Sequence, residues 1–384
     1  MRDGLPRVLG ASATTAVSVL ATGVAALCFG LFLMVVGADP IAVYGDMFAG
    51  AFGSSFSIQN SLARGAPLML TALCTALPAR LGMIVIGNEG ALLMGGLGAA
   101  ASAMALPGGL GSSVVLPVTL LSGAAVGGLW IALSGLLRQR RGVNETISSL
   151  LLFYIGLAIF LHMVEGPLRD PASLNKPSTY PVGEANMLGN MPGLDVHWGF
   201  GLGLLACLFC YALMEHTTFG FSARVVGGNP RAARGAGLPI GWLVFATCML
   251  AGSAAGLAGA VEVVAIHGAA NATLYAGLGF SGILVAFVAR HHPLAIIPVA
   301  ILMGGIEASG GVLQRRHGLP DAAVDVFKGV LFLSILASET YIGRVEAWVE
   351  RWQARLPSPP SEAPLLPSPG STMPAEATTP RSPA

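Results

Sequence analysis

Charged residues are scarce in this chain: Asp, Glu, Lys and Arg together make up 10% of its 384 residues. A soluble domain carries about 25% charged residues, whereas 54% of this chain is hydrophobic and its mean hydropathy is +0.73. The composition therefore excludes an ordinary soluble domain and predicts an integral membrane protein. The formal net charge of +1 gives no electrostatic basis for binding nucleic acid.

Cysteines and enzyme motifs are also missing or few. The five cysteines all lie in apolar runs, without the spacing of a disulfide framework or a metal site. Cys207 and Cys210 form a C-x-x-C pair, which we interpret as packing residues on an apolar helix. The sequence contains no phosphate loop, no H-E-x-x-H motif and no nucleophile elbow. We predict that the chain is not an enzyme and binds no cofactor of its own.

Long apolar runs fill most of the sequence. The first begins after Arg2 and Arg7 and is too long for a signal peptide, so it predicts a retained helix. Gly and Pro interrupt several runs. We therefore predict an all-α integral membrane fold, a polytopic helical bundle of about nine or ten transmembrane helices, some broken or re-entrant. The predicted spans lie near residues 12–36, 62–80, 83–105, 113–137, 146–164, 197–214, 241–264, 277–290, 293–312 and 321–340.

Charge orients the predicted bundle, because cytoplasmic loops carry an excess of Lys and Arg. Residues 1–11 are predicted as a cytoplasmic N-terminus, 12–345 as the transmembrane domain and the acidic loop 165–197 as extracytoplasmic. The short run 277–290 leaves two arrangements open. If it is re-entrant, the C-terminus moves outside; if it spans, Arg315 and Arg316 lie outside. We predict the spanning arrangement, because Arg344 and Arg351 then stay inside. Arginines predicted on the cytoplasmic side are Arg138, Arg140, Arg141, Arg224, Arg231, Arg234, Arg290, Arg344 and Arg351.

The C-terminal segment 346–384 is rich in Pro, Ser, Thr and Ala, most strongly from Pro357 onward. Such a composition cannot bury enough apolar surface to fold. We predict a disordered cytoplasmic tail and assign it no function.

Polar residues inside or beside the spans are the candidate functional residues, because burying them is costly. Two Asn-Glu pairs each stand at a predicted helix start, where they either cap the helix or line a translocation path. Glu307 lies in a glycine-rich span, where a hydrogen bond between helices is the alternative to solute contact. The predicted candidates for a solute pathway are Asn88, Glu89, Asn144, Glu145, Tyr154, Glu262 and Asn271.

At these residues the chain resembles the permease subunits of bacterial ABC importers of the nucleoside and simple-sugar type, related to ribose and branched-chain amino-acid permeases. The resemblance covers roughly residues 10–345. It rests on the order and spacing of several segments. They are GNEGALLMGGLGAA (87–100), GVNETISSLLLFYI (142–155), VVGGNPRAARGAGLP (225–239), ARHHPLAIIPVAILMGGIEASGG (289–311) and GLPDAAVDVFKGVLFLSILASE (318–339).

The resemblance implies a coupling loop at 215–240 that docks into a cleft of an ATPase subunit. Its central part is similar to the family's E-A-A-x-x-x-G pattern, with Arg231 where an acidic residue is common. Val85-Ile86-Gly87 and Phe153-Tyr154 also depart from the usual pattern, and these changes weaken the expectation of a nucleoside. The residues implied for docking are Asn229, Pro230, Arg231, Ala232, Ala233, Arg234 and Gly237.

The resemblance further implies a multi-pass protein of the bacterial cytoplasmic (inner) membrane. Its expected partners are a second permease subunit in a heterodimer, an ATPase that holds the ATP, an extracytoplasmic substrate-binding protein and membrane lipid. The expected solute is a nucleoside, with a simple sugar or riboflavin as the alternative. An ion-coupled secondary transporter is the rival from another class, and it would need carboxylates at mid-depth such as Glu262 or Glu307.

Overall fold

The computed structural model describes residues 5–107 and 110–353, and it describes side chains for residues 20–107 and 110–338. The chain divides into a unit of residues 16–338 and a second unit of 1–15 with 339–384. In the second unit, helical backbone covers residues 5–15 and 339–353. Over the described residues the helices are α1 Leu5–Val36, α2 Pro40–Phe52, α3 Ser55–Ala79, α4 Asn88–Ala105, α5 Ser112–Arg141, α6 Glu145–Glu165, α7 Gly199–His216, α8 Thr218–Gly228, α9 Pro230–Gly235, α10 Ile240–Val261, α11 Leu278–Val288, α12 Pro293–His317 and α13 Ala322–Gln353.

The helices confirm a polytopic membrane protein with a broken element. Within the described residues, six helices are long and apolar enough to cross a membrane. A seventh candidate is α1 joined to α2, which bend by 116° relative to each other. Six of the ten predicted spans match these helices, and 12–36 is part of the bent pair. Of the other three, 83–105 and 277–290 form shorter or less apolar helices, and 321–340 extends past the last described side chain at residue 338.

The two short elements are the predicted spans 83–105 and 277–290. The first is helical only from Asn88, after an extended stretch. The second is α11, with 11 residues, which rise about 16 Å. That length is roughly half of a ~30 Å hydrocarbon core. Both helices therefore begin inside the bundle rather than at its surface.

Glycines bring α5 and α10 into close contact. A Cβ at Gly127 would lie 2.5 Å from the Cα of Gly256, and one at Gly256 would lie 2.8 Å from the Cα of Gly127. Gly123 and Gly252 join the same contact. Gly123 and Gly127 of α5 and Gly252 and Gly256 of α10, each pair spaced by four, form this packing interface, because only a missing side chain allows such an approach.

Ion pairs mark the two ends of the 16–338 unit. Glu215 pairs with Arg80 and Arg224, and the His292 ring at the start of α12 lies 5.7 Å from the Tyr211 ring. We call this the α9 end. At the opposite end, Arg316 pairs with Asp46. In this arrangement α11 and the loop before it cross together, as in the spanning alternative.

The opposite end also holds the acidic loop 165–197. Its Val182 N–H donates to the Gly268 carbonyl at 2.8 Å, and its Leu188 N–H donates to the Val264 carbonyl at 2.8 Å. An isolated bridge joins Ser178 and Asn271. This loop is therefore fixed to the far end of the α10 segment.

Two helices overlap the predicted terminal segments. Helix α1 begins at Leu5, inside the segment 1–11 predicted as a cytoplasmic N-terminus. Helix α13 continues to Gln353, past residue 346 where the predicted tail begins. The rest of the predicted tail, 354–384, lies outside the described residues.

Candidate functional site

The segment between α3 and α4 turns back into the bundle. Gly82 has φ +68°, a left-handed conformation suited to glycine. The extended residues that follow run beside α3, where the Thr75 hydroxyl donates to the Val85 carbonyl at 3.3 Å. Asn88 donates its amide to the Thr71 carbonyl at 3.0 Å and to Thr75 Oγ1 at 2.8 Å. Helix α4 therefore starts level with Thr71, about two turns before α3 ends.

The backbone of this extended segment is satisfied from its other side by α6. The Thr146 hydroxyl donates to the Ile84 carbonyl at 2.8 Å, and the Ile86 N–H donates to Ser149 Oγ at 3.1 Å. Non-helical backbone at membrane depth needs such partners, because lipid offers none. Polar side chains of α3 and α6 therefore stabilise the non-helical backbone between α3 and α4.

A second break precedes α11. Helix α10 continues as a π-helix from Glu262 to His267, and a loop then leads to Gly277, whose φ is +75°. The first N–H groups of a helix have no partners within it. Here the buried Glu89 carboxylate accepts from the N–H of Gly277 at 2.9 Å and of Gly279 at 2.5 Å. Glu89 thus joins the start of α4 to the start of α11.

A cavity of about 450 Å³ opens beside this junction, between α11 and α13. This size falls within the range of small-molecule sites, roughly 300–1,000 Å³. Gly277 belongs both to the cavity wall and to the Glu89 junction. The wall is formed by Ile86, Ala276, Gly277, Phe280, Ser281, Ile283, Leu284, Asp325, Lys328, Gly329 and Phe332.

Lys328 is the centre of the polar side of the cavity. Its Nζ lies 2.9 Å from Asp325 Oδ1, 3.0 Å from Glu307 Oε1 and 3.2 Å from Ser281 Oγ. The side chain of Lys328 is 15% exposed and that of Glu307 is 9% exposed, whereas that of Asp325 is 71% exposed. The ion pairs stabilise a buried lysine while leaving one carboxylate open.

The apolar side of the cavity contains two aromatic rings, Phe280 and Phe332, together with aliphatic side chains. The Phe280 ring lies 5.2 Å from the Phe153 ring at 83°, an edge-to-face arrangement. Phe153 also contacts Tyr275 at 6.0 Å and Tyr154 at 4.8 Å. Two walls of different character, one charged and one aromatic, therefore face the same space.

The structure separates the predicted pathway residues. Asn88 bonds to α3 and Glu89 to the start of α11, and Tyr154 lies at the edge of the aromatic cluster with 58% exposure. Asn144 and Glu145 lie outside the cavity wall. Asn144 caps α6 by accepting from the N–H of Thr146 and Ile147, and Glu145 pairs with Arg138. Asn144 thus forms the helix cap that one of the two interpretations describes.

Glu262 and Asn271 also lie away from the cavity wall. Glu262 is 3.7 Å from His267 Nδ1. Asn271 accepts from the Thr273 N–H at 3.0 Å and so caps a short 3-10 helix. These residues belong to the end of the bundle that carries the loop 165–197.

Sequence reasoning missed Ser281, Asp325 and Lys328. A usable signal was present, because Asp325 and Lys328 are charged residues inside the predicted span 321–340. Their spacing of three places them on one helix face. Ser281 offered no comparable signal.

The predicted coupling loop 215–240 contains two helices, α8 and α9. Asn229 caps α9 by accepting from the N–H of Arg231 at 3.0 Å and of Ala232 at 3.1 Å, and Pro230 occupies the first turn. Gly237 ends the turn with φ +76°. Ala233 is fully buried in the core, which corrects its expected place on a docking face. The exposed residues of α9 are Pro230, Arg231, Ala232, Arg234 and Gly235.

The coupling segment contacts the first break of the bundle. Glu215 pairs with Arg80 at 3.1 Å and with Arg224 at 2.8 Å, so one carboxylate holds the ends of α3 and α7 to α8. A Cβ at Gly227 would lie 3.2 Å from the Gly82 N. Burial and the nearby Arg80 charge lower the pKa of His291 to about 4, so this corner keeps a neutral imidazole at neutral pH.

Comparison with known proteins identifies the family. Residues 57–336 match the model of the permease component of the branched-chain amino acid transport system. The chain belongs to this family. It is an ABC transporter permease, a multi-pass protein of the inner membrane, and the family consists of transport subunits that lack an ATPase site of their own.

Related permeases are named for different solutes. The glucose ABC transporter permease of Haloferax volcanii is 29% identical over 343 residues, covering 86% of this chain and 88% of that protein. The guanosine ABC transporter permease of Bacillus subtilis is 28% identical over 319 residues, covering 80% and 89%. A probable riboflavin import permease of Treponema pallidum is 25% identical over 293 residues, covering 73% of each. The permease is therefore of the nucleoside and sugar type.

Proposed function

We propose that this permease is one half of a heterodimeric pathway that imports nucleosides by alternating access. The family match over residues 57–336 carries this proposal. Relatives named for guanosine and for nucleosides support the solute. The partners would be a second permease subunit, an ATPase that binds ATP and an extracytoplasmic substrate-binding protein.

The contacts of α9 support this mechanism, because they connect the exposed face of α9 to the rest of the bundle. Helix α9 presents Arg231, Ala232 and Arg234 outward, while Ala233 is anchored in the core. Movement of α9 by an ATPase would therefore pull on the bundle. Glu215 ties the same segment to the end of α3, and the Glu89 junction ties the next segment to α11. The ATPase must prefer one bundle state, since contact with both states equally would shift nothing.

A simple sugar or riboflavin is the second candidate solute. The glucose permease of Haloferax volcanii and the riboflavin permease of Treponema pallidum favour it. The aromatic side of the cavity favours the nucleoside over a free sugar, because an unsaturated base presents a flat face to Phe280 and Phe332. Ion-coupled transport has less support: of the two carboxylates it would need, Glu307 is paired with Lys328, and Glu262 lies beside His267 at the end of the bundle that carries the loop 165–197.

Uptake by cells with and without the gene tests the proposal. We expect labelled adenosine to enter wild-type cells, deletion to abolish that uptake, and restoration to require both this chain and an intact partner ATPase. Ribose, riboflavin and a pyrimidine nucleoside serve as competitors. Adenosine uptake that is unchanged by deletion would contradict a nucleoside importer, and competition by ribose or riboflavin alone would transfer the assignment to the second candidate.

A further inference from the structure

The Asp325 carboxylate is the most exposed charged group on the polar side of the α11–α13 cavity. An ammonium has three donors, and Lys328 has Asp325, Glu307 and Ser281 as its three neighbours. No donor of Lys328 remains for a solute. The Asp325 carboxylate, 71% exposed, still has acceptor capacity, because each carboxylate can accept several hydrogen bonds.

The charge of this cluster selects against anions. Glu307 and Asp325 carry two negative charges against the single positive charge of Lys328. A phosphate or carboxylate brought next to Asp325 would meet net negative charge in a partly desolvated space, where repulsion is stronger than in water. Hydroxyl and amino groups would instead donate to the carboxylate.

The aromatic side adds a preference for a flat ring. Phe280 is held edge-on by Phe153, and Phe332 is held by Phe287 at 5.7 Å and 74°. Because these rings are already held in place, binding of a solute against them costs little additional side-chain entropy. A pocket with an apolar wall and few polar groups is the usual form of a small-molecule site.

We propose that this cavity binds an uncharged nucleoside, with the base against Phe280 and Phe332 and its hydroxyl or amino groups donating to Asp325. Asp325 is the residue that rejects phosphorylated forms, and Lys328 positions it. This inference rests on the proposed function, because it places the solute of that importer at α11 and α13.

Gly329 provides a reporter for the site. It lines the cavity, and a Cβ there would have nothing within 4 Å. Gly329→Cys would be made in a Cys28→Ser background, since Cys28 is exposed and the other four cysteines are buried. The matched control is Gly189→Cys in the loop 165–197, where a Cβ also has nothing within 4 Å.

The experiment measures maleimide labelling of the complete purified transporter, with adenosine, AMP or ribose at millimolar concentration. We expect adenosine to slow labelling of Gly329→Cys at least threefold, with little effect from AMP or ribose and none at Gly189→Cys. Adding Asp325→Asn is expected to remove the discrimination against AMP. Asp321→Asn, on the chain just before α13 and outside the cavity wall, is expected to leave it intact.

Failure of this inference is distinct from failure of the proposed function. If adenosine is transported but does not protect Gly329→Cys, the cavity is not its site. If AMP protects as well as adenosine, or if Asp321→Asn acts like Asp325→Asn, the role of Asp325 is wrong. If wild-type cells take up no nucleoside through this transporter, the proposed function fails first, whatever the labelling shows.

Discussion

At the scale of single residues, Glu89 is the buried carboxylate that joins the starts of α4 and α11 beside the cavity. Its carboxylate is buried and accepts from two N–H groups that α11 cannot satisfy itself. A buried donor left without a partner costs about 1–3 kcal/mol. The side chain therefore supports the cavity wall without needing to touch the solute.

Glu89→Gln should destabilise the contact between α4 and α11. The two Glu89 oxygens accept from the N–H groups of Gly277 and Gly279, and in the glutamine variant the NH2 group replaces one of these acceptors, so that two donors face each other. We expect the free energy of unfolding to fall by about 1–3 kcal/mol, measured as a lower Tm of the purified protein. Glu165→Gln is the control, since Glu165 is exposed at the end of α6. Equal Tm values for the two variants would show that the two hydrogen bonds contribute nothing to stability.

Sequence reasoning reached part of this residue-level arrangement. Asn88-Glu89 marks a helix start, and α4 does begin there. The sequence could not show that Glu89 caps α11, because its partners lie 188 and 190 positions away. Nor could spacing alone show that Asn144 caps its own helix while the similar Asn88 bonds to α3. Tertiary contacts decide between these roles.

At the scale of helices, the α5–α10 interface depends on the absence of side chains. Gly123, Gly127, Gly252 and Gly256 bring two backbones together, and any Cβ there would overlap the neighbouring helix. Lipid supplies no hydrophobic driving force between helices, so close packing has to supply the stability.

Gly256→Val should therefore separate α5 from α10. We expect destabilisation of about 1–3 kcal/mol or more, seen as a lower Tm and less folded protein by size-exclusion chromatography in detergent. Gly45→Val on α2 is the control, because a Cβ at Gly45 would meet nothing within 4 Å and both glycines lie in helices. A stable Gly256→Val protein beside an impaired Gly45→Val protein would contradict the packing argument.

Helix positions were predictable where an apolar run continues without a break. The spans near 113–137, 146–164 and 293–312 match α5, α6 and α12 within a few residues at most ends. The run 277–290 was already recognisable as short, and it forms the 11-residue α11. The π-helix after α10 and the 116° bend after α1 were not predictable, because apolar length does not report local changes in backbone conformation.

At the scale of the whole molecule, the α9 segment and the cavity are joined through interrupted elements. Glu215 holds α8 to the end of α3, the extended residues after Gly82 lead to Glu89, and Glu89 holds α11. Each link is a described contact in the 16–338 unit. Two contacts, one made by Glu215 and one by Glu89, thus connect the α9 segment to the cavity wall at Gly277.

The exposed face of α9 gives the test of docking. Ala233 is buried in the core, so a larger residue there would test folding rather than docking. Ala232 is exposed and is therefore the position at which docking can be tested. Ala232→Trp is expected to reduce nucleoside uptake at least tenfold and to weaken copurification with the ATPase, because the bulky ring prevents close approach of the two surfaces.

Ala42→Trp supplies the matched control, since Ala42 is exposed on α2, away from the α9 segment in sequence. Both variants should reach the membrane in wild-type amounts, as measured by quantitative immunoblotting of membranes. Undiminished uptake by Ala232→Trp would remove α9 as the docking element. Equal losses in both variants would indicate a general effect of an added indole ring. Loss confined to Ala232→Trp would mean that the force from the ATPase enters through the face opposite Ala233, whose buried methyl group passes the movement into the core.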